Sequence, residues 1–168
     1  AGLYHLVNHA VFRGLLFLGA GSVIFRMHTK DMEKMGGLGR VMPWTSLSFL
    51  IGALAISAIP PLNGFVSEWL TYQGLFVAAL DGSFATRLAT PIAATLLALT
   101  GALAVMCFVK AYGVIFSGAP RSRRAAEATE VPAAMVIGMI VLALACVVLG
   151  LAAPLVVPVL ASASAQIL

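Results

Sequence analysis

The chain has 168 residues, of which 61% are hydrophobic and only 10% are charged. Because a soluble globular domain carries about 25% charged residues, a mean hydropathy of +1.05 excludes that class and predicts an all-α integral membrane protein. The net charge of +4 does not indicate nucleic-acid binding, since most basic residues form two short clusters between apolar runs, where membrane proteins place them.

The apolar runs predict membrane spans, because a spanning helix needs about 20 mainly apolar residues. The chain opens without Met or a signal-peptide pattern, inside an apparent helix, so we expect a piece of a longer polytopic chain. The predicted segments are helix A at 3–25, a polar loop at 26–43, a long apolar stretch at 44–80, helix C at 90–116 and helix D at 132–160.

The stretch 44–80 is too long for one straight span, and IPPLNG at 59–64 interrupts it. Pro60 and Pro61 remove two backbone donors and clash with the preceding turn, and Gly64 adds conformational freedom. Irregular backbone at membrane depth occurs in a protein interior or a wet cavity, and broken helices recur in ion transporters. We therefore predict a functional helix break, with a tolerated proline kink as the alternative.

The distribution of basic residues decides how often this stretch crosses the membrane. If it is one broken span, both basic loops share a side and Arg87 alone lies opposite; if it is two spans, the division is 5 against 3. The first division fits the excess of basic residues in cytoplasmic loops. We therefore predict four spans, the second discontinuous, with both basic loops in the cytoplasm. The basic residues of these loops are Arg26, Lys30, Lys34, Arg40, Arg121, Arg123 and Arg124.

Ionisable residues within spans cost at least ~2.5–3.5 kcal/mol on insertion scales and are functional by default. His5, His9 and Arg13 are four residues apart, so they share one face of helix A, with successive residues about 6 Å apart along the axis. Such a row predicts one wall of a proton path. The alternative is that the histidines only bond to neighbouring helices near the membrane surface.

Two further ionisable residues complete the predicted proton relay. Glu68 lies one turn after the predicted break, where it would face the positive end of a half-helix; the alternative is a surface glutamate at a helix start. Lys110, near the end of helix C, reaches into the bundle or extends to the membrane surface. The relay would comprise His5, His9, Glu68 and Lys110.

We expect no catalytic residue and, because Cys107 and Cys146 are isolated in apolar runs, no metal site. Both cysteines should pack between helices.

Three segments carry a family resemblance. HLVNHAVFRGLLFLGAGSVIFR and KDMEKMGGLGRVMPWTSLSFLIGALAISAIPPLNGFVSEWLTYQ resemble the antiporter-type membrane subunits of respiratory complex I, Mrp antiporters and membrane-bound hydrogenases. PPLNGFVSEWLTYQ and VKAYGVIFSGAPRSRRAAEA are most similar to the large membrane subunits of formate hydrogenlyase and hydrogenase-4 (component B). The resemblance implies that residues 1–131 are the C-terminal part of a larger, inverted-repeat antiporter-like transmembrane domain. It is weaker over 132–168, where we expect an additional transmembrane helix.

The first helix of this family carries the pattern H-x-x-x-H-x-x-x-K. His5 and His9 match the histidines, and Glu68 matches the ionisable residue that the resemblance places on the proton exit route, but Arg13 replaces the lysine. A desolvated lysine can lose its proton, whereas arginine effectively cannot. We therefore hypothesise a relay through both histidines and water, with Arg13 as a permanent charge that tunes His9 and Glu68. A degenerate half-channel is the alternative.

The resemblance implies a proton-translocating membrane subunit of an energy-converting hydrogenase or formate hydrogenlyase complex. Such a subunit is non-catalytic, so we expect no cofactor in this chain and place nickel–iron and iron–sulfur centres in partner subunits. The expected partners are other membrane subunits and a peripheral hydrogenase or oxidoreductase arm, in the bacterial inner membrane. The alternatives are a subunit of NADH–quinone oxidoreductase or of a multisubunit cation/proton antiporter, and a purely structural membrane anchor.

Overall fold

The computed structural model describes residues 1–165, and the prediction of an all-helical chain is confirmed for them. Residues 166–168, the end of the predicted C-terminal region, lie outside the described residues. In chain order the helices are α1 (Gly2–Met27), α2 (Leu38–Val41), α3 (Pro43–Ile56), α4 (Asn63–Asp81), α5 (Phe84–Phe116), α6 (Arg123–Ala126), α7 (Ala133–Leu151) and α8 (Ala153–Ala165).

Three of these helices, α1, α5 and α7, are long and apolar enough to cross a membrane. Helix α1 closely matches predicted helix A, whereas α5 begins six residues before predicted helix C. The earlier start has a local cause, because the Ser83 hydroxyl accepts a hydrogen bond from the Thr86 N–H and caps the first turn. Helix α5 is about 50 Å long. No residue of its most apolar 18-residue segment is buried within the described chain.

The long apolar stretch at 44–80 forms two helices, because α3 ends at Ile56 and α4 begins only at Asn63. With 14 residues, α3 is about 21 Å long, which is less than the ~30 Å of a bilayer's hydrocarbon core. The Ile59 N–H bonds to the Leu54 carbonyl at 3.1 Å, so the chain turns immediately before its two prolines.

Gly64 lies in the first turn of α4, and the structure gives it a different role from the predicted one. Its backbone is helical and not left-handed, so conformational freedom is not what the position requires. A Cβ atom on Gly64 would instead collide with the main-chain carbonyl of Ala55 in α3. A Cβ atom on Gly150 of α7 would likewise collide with the Pro61 carbonyl. Glycines therefore allow three backbone segments to approach closely at the break.

The single helix D predicted at 132–160 is divided into α7 and α8. The Ala152 N–H bonds to the Val148 carbonyl at 2.7 Å and ends α7, and the Leu155 N–H bonds back to the Ala152 carbonyl at 2.9 Å. Pro154 has no N–H, and its ring would clash with the carbonyl four residues earlier in a continuous helix. A proline is tolerated in a first helical turn, so a new helix begins here.

Helix α1 packs against both α3 and α7, which also contact each other, and it contributes to two clusters of buried apolar side chains. Phe49 of α3 belongs to the first cluster, and Phe12 of α1 packs with Met139 and Cys146 of α7 in the second. Cys146 therefore has the expected packing role, whereas Cys107 on α5 is exposed in the described chain. The break between α3 and α4 is held against this central helix.

The two basic loops meet at one end of the bundle, which we call the basic end. Helices α1 and α5 end there, and α3 and α7 begin there. The Gly37 N–H bonds to the Ser117 carbonyl at 2.9 Å, and Arg124 Nη1 donates to the Met27 carbonyl at 3.2 Å. These contacts join the loop between α5 and α7 to the loop between α1 and α3 and to the last residue of α1.

Glu130, in the loop just before α7, caps α3 at the basic end. Its Oε2 accepts hydrogen bonds from the N–H groups of Trp44 at 3.0 Å and Thr45 at 3.4 Å, and its Oε1 accepts one from Thr45 Oγ1 at 2.5 Å. The residue preceding α3, Met42, provides no side-chain cap. Glu130 therefore supplies the negative charge and the acceptors that a helix N-terminus favours.

Candidate functional site

His5 and His9 lie on one face of α1, with ring centroids 6.0 Å apart and ring planes tilted by 34°. Both are half-buried, and the His9 ring contacts Phe12 edge-on at 5.4 Å between centroids. The structure shows no direct hydrogen bond between the two imidazoles within the described residues. A proton that moves between these rings would therefore pass through an intervening water molecule.

His5 is hydrogen-bonded to the second half of the broken stretch. Its Nδ1 lies 3.0 Å from Ser67 Oγ, and the Ser67 hydroxyl donates to the Gly64 carbonyl at 2.9 Å. A serine hydroxyl has one proton and two lone pairs. When that proton is donated to Gly64, the His5 Nδ1–H is the donor to Ser67. A neutral His5 in this tautomer has an unprotonated Nε2 that can accept a proton.

A pair of fully buried asparagines fastens α1 to the start of α4. Asn8 Nδ2 donates to the Asn63 main-chain carbonyl at 3.2 Å, and Asn63 Nδ2 donates to Asn8 Oδ1 at 3.2 Å. Both residues are 0% exposed, and Asn63 Oδ1 has no hydrogen-bond partner within the described chain. Buried polar groups are usually paired, so this acceptor is an exception among the buried polar groups beside the break.

Glu68 follows Ser67 on α4 and is half-buried. Its Oε2 faces α5 at Gly101, where an added Cβ atom would lie 3.8 Å from the carboxylate oxygen. The ion pairs of the described residues do not include Glu68. This carboxylate therefore faces α5, on a different side of α4 from the Ser67 hydroxyl that contacts α1, and it has no ion-pair partner in this part of the chain.

Arg13 and Lys110 are not brought to this site. Arg13 is exposed, and its guanidinium carbon lies 5.7 Å from the centroid of the Phe17 ring. Lys110 is exposed on α5, nine residues beyond Gly101, which corresponds to about 14 Å along the helix axis. Neither side chain forms an ion pair within the described residues.

The structure thus brings together two of the predicted residues, His5 and His9, and connects His5 to α4 through Ser67, whereas the Glu68 carboxylate faces α5. Sequence reasoning missed Asn8, Asn63 and Ser67. Their only signal was the presence of polar side chains in apolar segments, in HLVNH and in LNGFVSE. Across residues 1–165, no group of three or more His, Cys, Asp or Glu side chains is arranged to hold a metal ion.

Residues 1–96 match the family described as NADH:quinone oxidoreductase/Mrp antiporter, TM. Hydrogenase-4 component B of Escherichia coli strain K12 is 60% identical over 156 residues, which cover 93% of this chain and 23% of that protein. Formate hydrogenlyase subunit 3 of the same strain is 51% identical over 162 residues, which cover 96% of this chain and 27% of that protein. The chain therefore spans about a quarter of the length of these curated relatives.

A solved structure has a similar fold. It is that of the membrane-bound sulfane sulfur reductase, an archaeal respiratory membrane complex, and the match has a TM-score of 0.73 at 27% sequence identity. The match covers 88% of this chain and 23% of the chain in that complex. Because the relative that is 51% identical covers 96% of this chain, the similarity extends past residue 131 into the C-terminal helices.

Proposed function

This chain belongs to the NADH:quinone oxidoreductase/Mrp antiporter transmembrane family, and on that premise we propose that it is part of a proton-translocating subunit of an energy-converting hydrogenase or formate hydrogenlyase complex. The resemblance predicted from the sequence is confirmed. Identities of 60% and 51% to the two Escherichia coli proteins support this branch of the family. The subunit would lie in the bacterial inner membrane, beside other membrane subunits and a peripheral arm that carries nickel–iron and iron–sulfur centres.

The proposed topology has four spans, with α3 and α4 forming one discontinuous span. Contacts with α1 support a common direction for these two helices. Asn63 at the start of α4 contacts Asn8 of α1. Ser67, one turn later in α4, contacts His5 of α1, and His5 lies further from the basic end than Asn8 does. Helix α4 thus continues away from the basic end, as α3 does. Both basic loops then lie on one side, in agreement with the charge distribution.

The observation that carries the proposed relay is the hydrogen bond between His5 Nδ1 and Ser67 Oγ. It joins the histidine face of α1 to the helix that bears Glu68. A proton that reaches the free Nε2 of His5 from the His9 side makes the imidazole cationic. The Nδ1 proton can then pass to Ser67 Oγ while the serine's own hydroxyl proton leaves for a water molecule that leads toward Glu68, so that the serine is neutral before and after the step.

Arg13 and Lys110 have more distant roles in this proposal. Arg13 remains charged, and at two turns from His5 it would bias the charge of the histidine face without carrying a proton. Lys110 would act at another step of the route, about 14 Å from the Glu68 level along α5. Redox chemistry in partner subunits would drive protonation electrostatically, with no cofactor in this chain.

The test is proton uptake by inside-out vesicles that carry the complete complex, measured per electron transferred. Ser67→Ala and Glu68→Gln should each lower this ratio, because the first removes the hydroxyl that connects α1 to α4 and the second removes the carboxylate that accepts the proton. Thr71→Ala is the matched control, since its hydroxyl bonds only to the Ser67 carbonyl one turn along α4. Unchanged uptake in both site variants would favour the structural-anchor alternative.

A second candidate is a subunit of NADH–quinone oxidoreductase or of a multisubunit cation/proton antiporter. It is favoured by the match of residues 1–96 to a family described by both names. Sodium-dependent transport by the complex, or a requirement for quinone, would assign the chain to this candidate. Co-purification with a nickel–iron subunit would assign it to the first.

A further inference from the structure

A polar cavity of about 520 Å³ opens at the basic end, between the end of α1 and the loop that contains α6. Its charged lining consists of Arg26, Arg123, Arg124 and Glu127. The cavity is remote from the proposed relay, because Arg26 and His5 are 21 residues apart on α1, or about 31 Å along the axis. The relay uses none of these side chains.

The cavity carries an excess of positive charge. Glu127 is the one carboxylate side chain of the lining, and its Oε1 pairs with Arg123 Nε at 2.7 Å. Arg26 and Arg124 form no ion pair within the described residues. Three guanidinium groups therefore share one carboxylate, and an anion is the ligand that this balance favours.

The two unpaired arginines are held in place by main-chain carbonyls. Arg26 Nη2 donates to the carbonyl of Glu130, and Arg124 Nη1 donates to the carbonyl of Met27 at 3.2 Å. Arg26 Nε is buried and has no hydrogen-bond partner within the described chain. Buried donors are normally paired with an acceptor, so Arg26 adds to the demand for an acceptor at this end of the bundle.

The depth of the site indicates the source of the anion. Arg26 belongs to the last turn of α1, a membrane-spanning helix, and its guanidinium carbon lies 5.7 Å from the centroid of the Phe25 ring. Phe25 is 49% exposed in the described chain. An apolar ring directly beside an arginine matches the boundary between acyl chains and lipid headgroups.

We propose that this cavity binds the phosphate group of an anionic phospholipid, with the acyl chains against Phe25 and the outer face of α1. Arg26 and Arg124 would bind the phosphate oxygens through their guanidinium groups, and Arg123 would retain its pairing with Glu127. The shared chemistry is that of a phosphate group, and the exposed apolar surface beside it favours a lipid over a free phosphate.

The test uses the purified membrane complex that contains this chain and a photoactivatable phosphatidylglycerol, with crosslinks mapped by mass spectrometry to the end of α1. Arg124 is exposed, and Arg124→Gln should raise the half-saturating lipid concentration about fivefold. This factor corresponds to about 1 kcal/mol per arginine near an anionic surface. Arg26→Gln with Arg124→Gln should raise it about 30-fold. Arg121→Gln is the control, because this arginine lies in the same loop but does not line the cavity.

Competition identifies the source of the phosphate. Unlabelled phosphatidylglycerol should remove the crosslink, whereas phosphatidylcholine and inorganic phosphate at equal concentration should not. Equal competition by inorganic phosphate would assign the site to a free anion and overturn the lipid assignment. Equal crosslinking in Arg124→Gln and wild type would overturn the site itself, without affecting the proposed proton relay.

Discussion

Replacing Gly64 with alanine tests whether the helix break depends on close backbone contact. The added methyl carbon would lie 2.9 Å from the Ala55 carbonyl carbon and still closer to its oxygen. Both atoms belong to the main chain near the end of α3, so no side chain can rotate away to make room. The start of α4 must therefore move relative to α3, and the Gly64 carbonyl that accepts the Ser67 hydroxyl moves with it.

The expected cost follows from this collision. Overpacking a well-packed site typically costs about 1–3 kcal/mol, and a main-chain clash belongs at the upper end. The matched control is Gly74→Ala in the same helix, where an added Cβ atom meets no atom within 4 Å. Alanine is favoured over glycine in a helix by about 0.5–1 kcal/mol, and this gain applies to both variants. The difference between them should therefore be about 3 kcal/mol.

The assay is equilibrium unfolding of the purified parent subunit in mixed micelles, with the midpoint in SDS followed by intrinsic fluorescence. Gly74→Ala should unfold at or above the wild-type midpoint, and Gly64→Ala well below it. Equal midpoints for the two variants would refute the claim that α3 and α4 touch through their backbones. Proton uptake per electron should fall in Gly64→Ala alone, since only this change displaces Ser67.

Two further substitutions test the contacts that hold the helices together. Asn8→Ala leaves the buried Asn63 amide without its acceptor and should destabilise the subunit by about 1–3 kcal/mol in the same unfolding assay; a loss below the error of that assay would contradict the proposed fastening. Glu130→Ala removes the cap of α3 at Thr45 and should cost about 1–2 kcal/mol. The exposed Glu127→Ala in the same loop should leave the unfolding midpoint nearly unchanged, and equal effects of the two glutamate variants would contradict the capping role.

Part of the candidate site could be predicted because helix geometry converts sequence spacing into position. Residues four apart lie on one face, so His5 and His9 were placed together before any tertiary contact was known. Ser67 and Asn63 could not be predicted in this way, because they belong to another helix. Their partners are set by how α4 packs against α1, and spacing along one segment contains no information about packing between segments.

The predicted helix boundaries show the same division. Hydropathy located α1 well, because burial in lipid depends on the composition of a whole segment. It missed the end of α7, where a single proline at position 154 excludes a continuous helix without changing the apolar character of the segment. The prediction that Gly64 supplies conformational freedom was also wrong. A requirement for close contact depends on the atoms opposite a residue and not on its own conformation.

The sequence by itself determined that the chain is a helical membrane protein of the antiporter-like family, with a break near two prolines and a row of ionisable groups on its first helix. These properties depend on composition, local backbone chemistry and helical periodicity. Only the tertiary structure decided that His5 bonds to Ser67, that two asparagines fasten the break, and that arginines from two distant segments line one cavity. Each of these contacts joins residues more than 50 positions apart, so packing between helices, and not local sequence, brings them together.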